Sequence, residues 1–167
     1  MKHISKREYA QLITENRQRF YRIAYSYARN EHDALDIVSE ATYKGLKNLK
    51  NLREHEYFLT WMTRIVINTA LDDLRKRART EVCDADAIER ESGASGSAAD
   101  ETYMDLYAAM DLLKPEERIY IVLKYFEEYS FRDMAVLLEL PESTIKSRTY
   151  ECLKRMRLYM EGGKRHD

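Results

Sequence analysis

The sequence predicts an all-α protein in which a flexible acidic linker joins two small helical domains. Apolar residues recur at steps of three and four along most of the 167 residues, as in amphipathic helices, and no convincing alternating strand pattern competes with them. Gly and Pro, at 5 and 2 residues, are too scarce for a loop-rich β protein. Residues 81–100 interrupt the periodicity with acidic and small residues, which is typical of a linker.

The first domain carries three apolar stripes at helical spacing. They lie within residues 9–27, 34–45 and 58–74, and each predicts a helix. Asp33 stands near the start of the second stripe, where an acidic residue favours the first helical turn. The third stripe is apolar on several sides, so we expect its helix to be central and Trp61 to lie in the core.

Charge is distributed unevenly among the two domains and the linker. The net charge is −1 overall, but residues 1–80 carry +6, residues 81–100 carry −5 and residues 101–167 carry −2. Within the second domain, residues 142–165 carry +4. Basic segments on both sides of an acidic middle are compatible with nucleic-acid binding, although the total charge is close to neutral.

The second domain shows the parts of a helix-turn-helix motif. Pro115 is suited to the first position of a helix. Ser130 with Asp133 resembles a capping box at the start of a short helix, and Ser143 is a suitable N-cap for a longer last helix. Glu139 occupies a turn position that is often Gly, and we expect it to take a left-handed conformation at modest cost.

The exposed side of the last helix carries side chains that suit DNA. Arg and Lys donate to guanine edges or phosphates, Ser serves either, and Tyr contacts a thymine methyl group or the backbone. The candidates are Ser143, Lys146, Ser147, Arg148, Tyr150, Lys154 and Arg155. Lys154 and Arg155 come later in the helix, where phosphate contacts are more typical. The alternative is an ordinary helical hairpin with a solvated charged face.

Several segments resemble a known family. Leu113–Arg118, Tyr125–Ser130 and Thr144–Arg148 are similar to the promoter-binding C-terminal domain of bacterial extracytoplasmic-function sigma factors, and the last string is the most specific. Asp33–Ala41 is similar to the helix with which such factors bind the clamp of RNA polymerase. The segment that begins with Trp61–Ile65 resembles the part that recognises and melts the −10 promoter element. The resemblance covers both domains in the correct order.

The resemblance implies roles for individual residues of the first domain. The residues implied in −10 recognition are Arg53, Tyr57, Arg64, Asn68, Arg75 and Lys76. The residues implied in polymerase binding are Asp33, Asp36, Ile37, Glu40 and Tyr43. Acids three and four residues apart share one helix face, and an acidic stripe suits a basic docking surface. Asn68 could equally act as a helix-interrupting cap, and Tyr57 is a better surface contact than Trp61.

The resemblance also implies the partners and the activity. The expected partners are core RNA polymerase, promoter DNA and an anti-sigma factor, which in this family is usually membrane-anchored. The expected activity is that of an alternative sigma factor in the cytoplasm, in a stress or cell-envelope response, with no catalysis, cofactor or metal. We expect no direct membrane insertion, because no apolar run is long enough to span a bilayer and the N-terminus lacks the apolar run of a signal peptide.

Two other classes of protein compete with this interpretation. A self-contained dimeric helix-turn-helix regulator needs a dimer interface, and no heptad seam stands out. An enzyme or metal site would use Asp33, Asp36 and Glu40, but the chain lacks a phosphate loop and a Glu-x-x-His pair. Cys83 and Cys152 do not make a disulfide framework, and Cys152 lies on an apolar stripe, which favours a buried structural thiol over a redox role.

Overall fold

The computed structural model describes residues 3–83 and 101–163, with side chains for residues 3–81 and 105–163. Within these ranges the chain is helical and contains no strand, which confirms the predicted all-α class. The chain forms two compact units, Met1–Ala94 (unit 1) and Ser95–Asp167 (unit 2). Residues 84–100, which make up most of the predicted linker, lie outside the described residues.

Unit 1 is built from four helices. They are α1 (Lys6–Glu15), α2 (Arg17–Ala28), α3 (Glu31–Lys47) and α4 (Phe58–Cys83). Two single 3₁₀ turns, Leu49–Asn51 and His55–Tyr57, connect α3 to α4. Helices α2, α3 and α4 pack against one another, and α1 lies against α2 and α3. Helix α4 continues past residue 80 as far as Cys83.

The first apolar stripe forms two helices rather than one. Asn16 leaves the helical conformation at φ −107°, and its side-chain amide donates to the Leu12 carbonyl oxygen at 2.8 Å. Helix α2 then begins at Arg17. Apolar spacing continues across this break, from Ile13 to Phe20, so the periodicity alone did not reveal the break.

The core of unit 1 forms around α4, as predicted. Its largest fully buried side chains are Phe20, Ile23, Ile37, Phe58, Met62 and Val66. Trp61 is only partly buried, so the expectation that it lies in the core is wrong. Its ring centroid lies 6.3 Å from that of buried Phe58, at the edge of the core. The second stripe, within residues 34–45, is buried as predicted.

A close approach fixes α1 against α3. The Tyr9 hydroxyl donates to the Thr42 carbonyl oxygen at 2.7 Å, and burial raises the pKa of Tyr9 to about 12. A Cβ atom added at Gly45 would lie 2.4 Å from the Tyr9 hydroxyl oxygen and 3.0 Å from the Met62 sulfur. A side chain at position 45 therefore cannot coexist with this hydrogen bond unless the helices move.

Unit 2 is built from four further helices. They are α5 (Glu101–Asp111), α6 (Pro115–Ile121), α7 (Phe131–Leu138) and α8 (Glu142–Gly163). A π-helical turn, Val122–Phe126, continues α6. Helix α8 packs against α5, α6 and α7, and therefore forms the centre of the unit. Its buried residues, at intervals of three and four, are Ile145, Thr149, Cys152 and Met156.

Two of the predicted helix starts in unit 2 are confirmed. Pro115 is the first residue of α6, where its fixed φ and missing N–H group carry no penalty. Ser130 caps α7, because its hydroxyl oxygen accepts a hydrogen bond from the Asp133 amide at 3.0 Å. Glu139 ends α7 at φ 55° and ψ 42°, which is the left-handed conformation expected for the turn.

The predicted start of α8 is wrong. The helix begins at Glu142, one residue before the proposed cap Ser143. The Ile145 amide donates to the Pro141 carbonyl oxygen at 3.1 Å, which closes the first turn. Ser143 therefore lies inside the first turn, with its side chain exposed.

Candidate nucleic-acid and polymerase interfaces

Helices α7 and α8 form a helix-turn-helix in unit 2. Helix α7 packs through Met134 and Leu137, and the turn between the helices spans residues 139–141. The Leu140 amide donates to the Ala135 carbonyl oxygen at 3.1 Å and closes the end of α7. Ile145 is fully buried and anchors the second helix of the motif. This arrangement leaves the opposite side of α8 open to a partner.

Six of the seven predicted −35 residues lie on that open side. Ser143, Lys146, Ser147, Arg148, Tyr150 and Lys154 are exposed. Arg155 is the exception, because it lies at the boundary with α6 with 39% of its side chain exposed. Lys146 forms an ion pair with Glu142 at 3.4 Å, one turn earlier in the helix.

A group of aromatic and basic side chains lies at the start of α8. The sequence predicted Lys146 and Tyr150 as site residues but not Lys124 and Phe131. The rings of Phe131 and Tyr150 meet edge to face, with centroids 5.8 Å apart. The ammonium groups of Lys124 and Lys146 lie 4.3 Å and 5.9 Å from the centre of the Phe131 ring. These four residues come from the π-helical turn, α7 and α8, so helical periodicity within one segment could not bring them together.

Two arginines of α8 reach across to α6, and their partners differ. Arg148 donates from Nη1 to the hydroxyl oxygen of Tyr120 at 2.9 Å. Arg155 donates from Nη2 to the Glu117 carboxylate at 2.6 Å. Burial alone would raise the pKa of Glu117, but the hydrogen bonds that it accepts from Arg155 and from the Lys114 amide, with the positive charges of both residues, outweigh burial and lower this pKa. Arg155 is therefore paired with a negative charge, whereas the partner of Arg148 is a neutral hydroxyl.

The outer face of α3 carries three of the five predicted polymerase-binding residues. Asp36, Glu40 and Tyr43 are exposed together along this face. Asp36 lies 3.2 Å from the His32 imidazole, and Glu40 lies 3.0 Å from the Lys44 ammonium group. Tyr43 is 61% exposed, so an aromatic ring stands beside these acids. An exposed aromatic ring among charges is typical of protein-binding surfaces.

The other two predicted polymerase-binding residues point inward. Ile37 is only 2% exposed and packs in the core, so it supports the outer face instead of forming it. Arg77 of α4 donates a short hydrogen bond to the Asp33 carboxylate, and this contact, with the Asn30 side chain, lowers the pKa of Asp33. Asp33 therefore ties α3 to α4, although the sequence places it in the same acidic stripe as Asp36.

One group of potential metal ligands exists among the described side chains. It comprises His32, Asp33 and Asp36, whose ligand atoms lie within 4.8 Å of one another. Arg77 and Asn30 already bind the Asp33 carboxylate, so a cation would have to displace them. The arrangement fits an ion-pair network better than a metal site.

The predicted −10 residues of α4 follow one helix face. Half-buried Arg64 and exposed Asn68 and Arg75 recur at steps of four and seven, with Trp61 on the same line. Tyr57, the last residue of the preceding 3₁₀ turn, lies seven residues before Arg64. Tyr57 is 59% exposed, as predicted. Asn68 is exposed in the middle of α4, so the helix-interrupting alternative for this residue is wrong.

The remaining −10 candidates flank this face. Arg53 is exposed in the short connection between the two 3₁₀ turns, directly after buried Leu52. Lys76 is exposed next to Arg75, which lies 3.3 Å from the Asp72 carboxylate. The connection thus delivers a basic side chain and an aromatic side chain to the start of α4.

The described cysteine is buried. Cys152 is 1% exposed on the inner side of α8, and burial raises the pKa of its thiol. This confirms the prediction of a buried structural thiol. The side chain of Cys83 lies outside the described residues.

No helix in the described parts of the chain has the length and apolar character required to cross a bilayer.

Comparison with known proteins assigns the two units. The Sigma-70 region 2 family matches residues 12–80, and the Sigma-70 region 4 family matches residues 103–156. RNA polymerase sigma factor SigV of Bacillus subtilis is 36% identical over 148 residues, which cover 89% of this chain and 88% of SigV. The chain belongs to the extracytoplasmic-function sigma factor family. The resemblance identified from the sequence is therefore confirmed.

Further relatives and solved structures agree with this family. The extracytoplasmic-function sigma factor SigW of Bacillus subtilis is 26% identical, with 85% of this chain and 83% of SigW covered. The fold is similar to sigma factor RpoE of Bartonella quintana in complex with the anti-sigma factor NepR, with a TM-score of 0.79 at 21% identity over 92% of this chain and 97% of that one. It is also similar to CnrH in complex with the cytosolic domain of CnrY, with a TM-score of 0.66 at 18% identity over 95% and 90% of the two chains.

Family membership settles the general activity. This protein is an alternative sigma factor, which binds core RNA polymerase and directs it to promoter DNA. The family consists of transcription regulators and is not known for catalysis.

Proposed function

We propose that the two units divide promoter recognition and polymerase binding between them. Residues 1–80 bind the polymerase clamp and recognise and melt the −10 element, residues 101–167 recognise the −35 element, and residues 81–100 tether the two. One observation carries this division: an acidic, aromatic face on α3 of unit 1 and a basic, aromatic face on α8 of unit 2 are both exposed. Opposite charges suit a protein surface and DNA, respectively.

The polymerase contact is proposed to centre on Asp36, Glu40 and Tyr43. The two acids steer the helix toward a basic surface, and the tyrosine ring adds apolar contact area. Asp33 and Ile37 support this contact from inside, since one holds α4 and the other fills the core. The five residues therefore have two kinds of role, direct contact with polymerase and support of the contacting face.

The −10 contact is proposed to follow the partly exposed line from Arg64 to Arg75 on α4 and the connection before it. Tyr57 offers a ring on which an unstacked base can stack. Asn68 can pair with a base edge, and the basic side chains attract the displaced strand. The residues assigned here are Arg53, Tyr57, Arg64, Asn68, Arg75 and Lys76.

The −35 contact is proposed to use the first turns of α8 in the major groove. Lys146, Ser147 and Arg148 face outward where a recognition helix enters the groove. Ser143 and Tyr150 lie beside them, and Lys154 follows toward the phosphate backbone. Arg155 acts through Glu117 as a structural residue rather than as a phosphate contact.

Tethering increases the strength of two weak sites. Neither basic segment is large, so each domain alone should bind duplex DNA weakly and in a salt-sensitive manner. Two sites joined on one polymerase gain affinity through effective concentration.

We infer that an anti-sigma factor of the membrane-anchored kind usual in the family regulates this protein in the cytoplasm. Two proteins of similar fold were solved in complexes, RpoE with the anti-sigma factor NepR and CnrH with the cytosolic domain of CnrY. The names of relatives such as SigW place them in the extracytoplasmic-function group. That group name supports a role in a stress or cell-envelope response.

Paired charge reversals test the division of labour. Lys146→Glu with Arg148→Glu should abolish promoter-specific transcription and leave co-elution with core polymerase intact. Asp36→Lys with Glu40→Lys should abolish co-elution. Reversal of the exposed pair Lys6 and Arg7 on α1 is the control and should change neither measurement. Loss of the same step in both test variants would contradict the proposed division.

A further inference from the structure

Two arginines of α8 bind helix α6, and their partners on α6 differ in charge. Glu117 and Tyr120 are three residues apart on α6, so they lie on neighbouring turns of one face. Glu117 binds Arg155, and Tyr120 binds Arg148, seven residues or two turns earlier on α8. A carboxylate cancels the positive charge of its partner, whereas a neutral hydroxyl leaves that charge available.

Tyr120 is well placed to hold a side chain still. It is 5% exposed, and its neighbours Ile119 and Ile121 are also buried, so the ring has little freedom to move. Its hydroxyl oxygen lies 2.9 Å from Nη1 of Arg148, whose residue is exposed. The hydrogen bond therefore connects a fixed point of the core to a mobile cation on the surface.

An arginine that is already fixed binds DNA at a lower entropic cost. A free arginine side chain loses several rotatable bonds when it orders on a base pair or phosphate. One hydrogen bond to Tyr120 uses one of its five N–H donors and leaves the others for DNA. Lys146 pairs with half-exposed Glu142 in its own helix and lies 5.9 Å from the centre of the half-buried Phe131 ring, so neither contact is a hydrogen bond to a buried residue of the core.

We propose that Tyr120 is a positioning residue for DNA recognition, which pre-orders the Arg148 guanidinium for the −35 element while it preserves its charge. Tyr120 itself does not touch DNA in this proposal. The inference rests on the proposed −35 role of unit 2 and adds a buried residue that the recognition helix alone does not reveal.

The test uses holoenzyme assembled with core polymerase and full-length sigma factor. Promoter duplexes randomised across the −35 region are selected with the wild-type protein, and the enriched duplex becomes the probe. Its affinity is then compared with that of a scrambled duplex for Tyr120→Phe, which removes only the hydroxyl group. Tyr159→Phe on the exposed part of α8 is the matched control.

We expect Tyr120→Phe to reduce the ratio of specific to scrambled affinity by roughly three- to tenfold, which is the ordering cost of about one side chain. Tyr159→Phe should leave the ratio unchanged. In an Arg148→Ala background, Tyr120→Phe should have no further effect on the ratio, because the group it positions is gone. If Tyr120 had only a structural role, Tyr120→Phe would lower the affinities for the enriched and the scrambled duplex equally. It would also lower both affinities in the Arg148→Ala background.

The outcomes separate the inference from the proposed function. If the wild-type protein enriches no −35 sequence, the proposed role of unit 2 fails and the inference fails with it. If enrichment occurs but Tyr120→Phe leaves the ratio unchanged, only the positioning role is overturned. A thermal unfolding curve of Tyr120→Phe close to wild type identifies any change in the ratio as an effect on recognition.

Discussion

Helices α3 and α8 have the same arrangement of buried and exposed residues, but the exposed charges are acidic on α3 and basic on α8. Each buries an apolar stripe and displays charged residues beside an exposed tyrosine. Each also gives up one apparent member of its charged face to the fold, Asp33 to Arg77 in unit 1 and Arg155 to Glu117 in unit 2. The displayed charge is therefore smaller than the sequence suggests, and residues at the flank of a charged face act as anchors rather than contacts.

The largest predicted change removes the close approach that seats α3. Gly45→Ala should lower the free energy of unfolding of unit 1 by about 1–3 kcal/mol, because the new Cβ overlaps Tyr9 and the gain in helix propensity is smaller. Circular dichroism during urea unfolding follows both units, and fluorescence of Trp61, the single tryptophan, identifies the transition of unit 1. Gly162→Ala on α8 is the control, since nothing lies within 4 Å of a Cβ there. Equal effects at both glycines would refute the steric explanation.

The anchor of α3 makes unit 1 sensitive to acid. Because the folded-state pKa of Asp33 is lowered, its contribution is present above the unfolded pKa of about 4 and is lost as pH falls through the lowered value. Asp33→Asn should cost about 1–2 kcal/mol at pH 7 and progressively less at acidic pH. Asp36→Asn, with its side chain 66% exposed, should cost far less at any pH. Urea unfolding of both variants between neutral and acidic pH shows whether only Asp33→Asn has a large and pH-dependent cost.

The salt dependence of DNA affinity distinguishes Arg155, the anchor of α8, from the residues of α8 that contact DNA. Arg155→Met should destabilise unit 2 by about 1 kcal/mol or less, since this pair is partly exposed, and should leave the salt slope of DNA binding unchanged. Lys154→Met, next to it but exposed, should reduce that slope by about 0.9 through loss of one phosphate contact. If the slope responded to Arg155 and not to Lys154, the assignment of anchor and contact would be reversed.

The smallest predicted change concerns the turn before α8. Glu139→Gly should stabilise unit 2 by about 0.5–1 kcal/mol, because glycine takes the left-handed conformation without the steric cost of a side chain. Glu151→Gly, inside α8, should instead destabilise it by about 1 kcal/mol. Hydrogen exchange of the α8 amides measures both, and a loss of protection in Glu139→Gly would contradict the prediction.

Local signals in the sequence predicted most helices correctly. Pro115 and Ser130 act at single helix ends, so their chemistry could be interpreted without knowledge of the tertiary structure. The break at Asn16 was missed because apolar spacing continues through it. The start of α8 was missed because Ser143 is a good cap in isolation, yet the chain after Pro141 is already helical.

The site was harder to predict than the fold, because residues far apart in the sequence decide which charged side chains are free to contact a partner. Asp33 and Arg77 are 44 residues apart, and Arg148 and Tyr120 are 28 apart, so no helical spacing connects them. The sequence correctly indicated which helix faces carry charge. Only the packed helices show which charge on each face is neutralised, as for Arg155 beside Glu117.

The burial of Cys152 provides a way to follow unit 2 inside the complete polymerase complex. A thiol reagent in solvent reaches this sulfur only when α8 separates from its packing partners, and the raised pKa keeps the thiolate scarce until then. The alkylation rate, followed by mass spectrometry of the Cys152 peptide, therefore reports how often unit 2 opens. The slowing of this rate by promoter DNA would give the affinity of the −35 contact within the transcription complex.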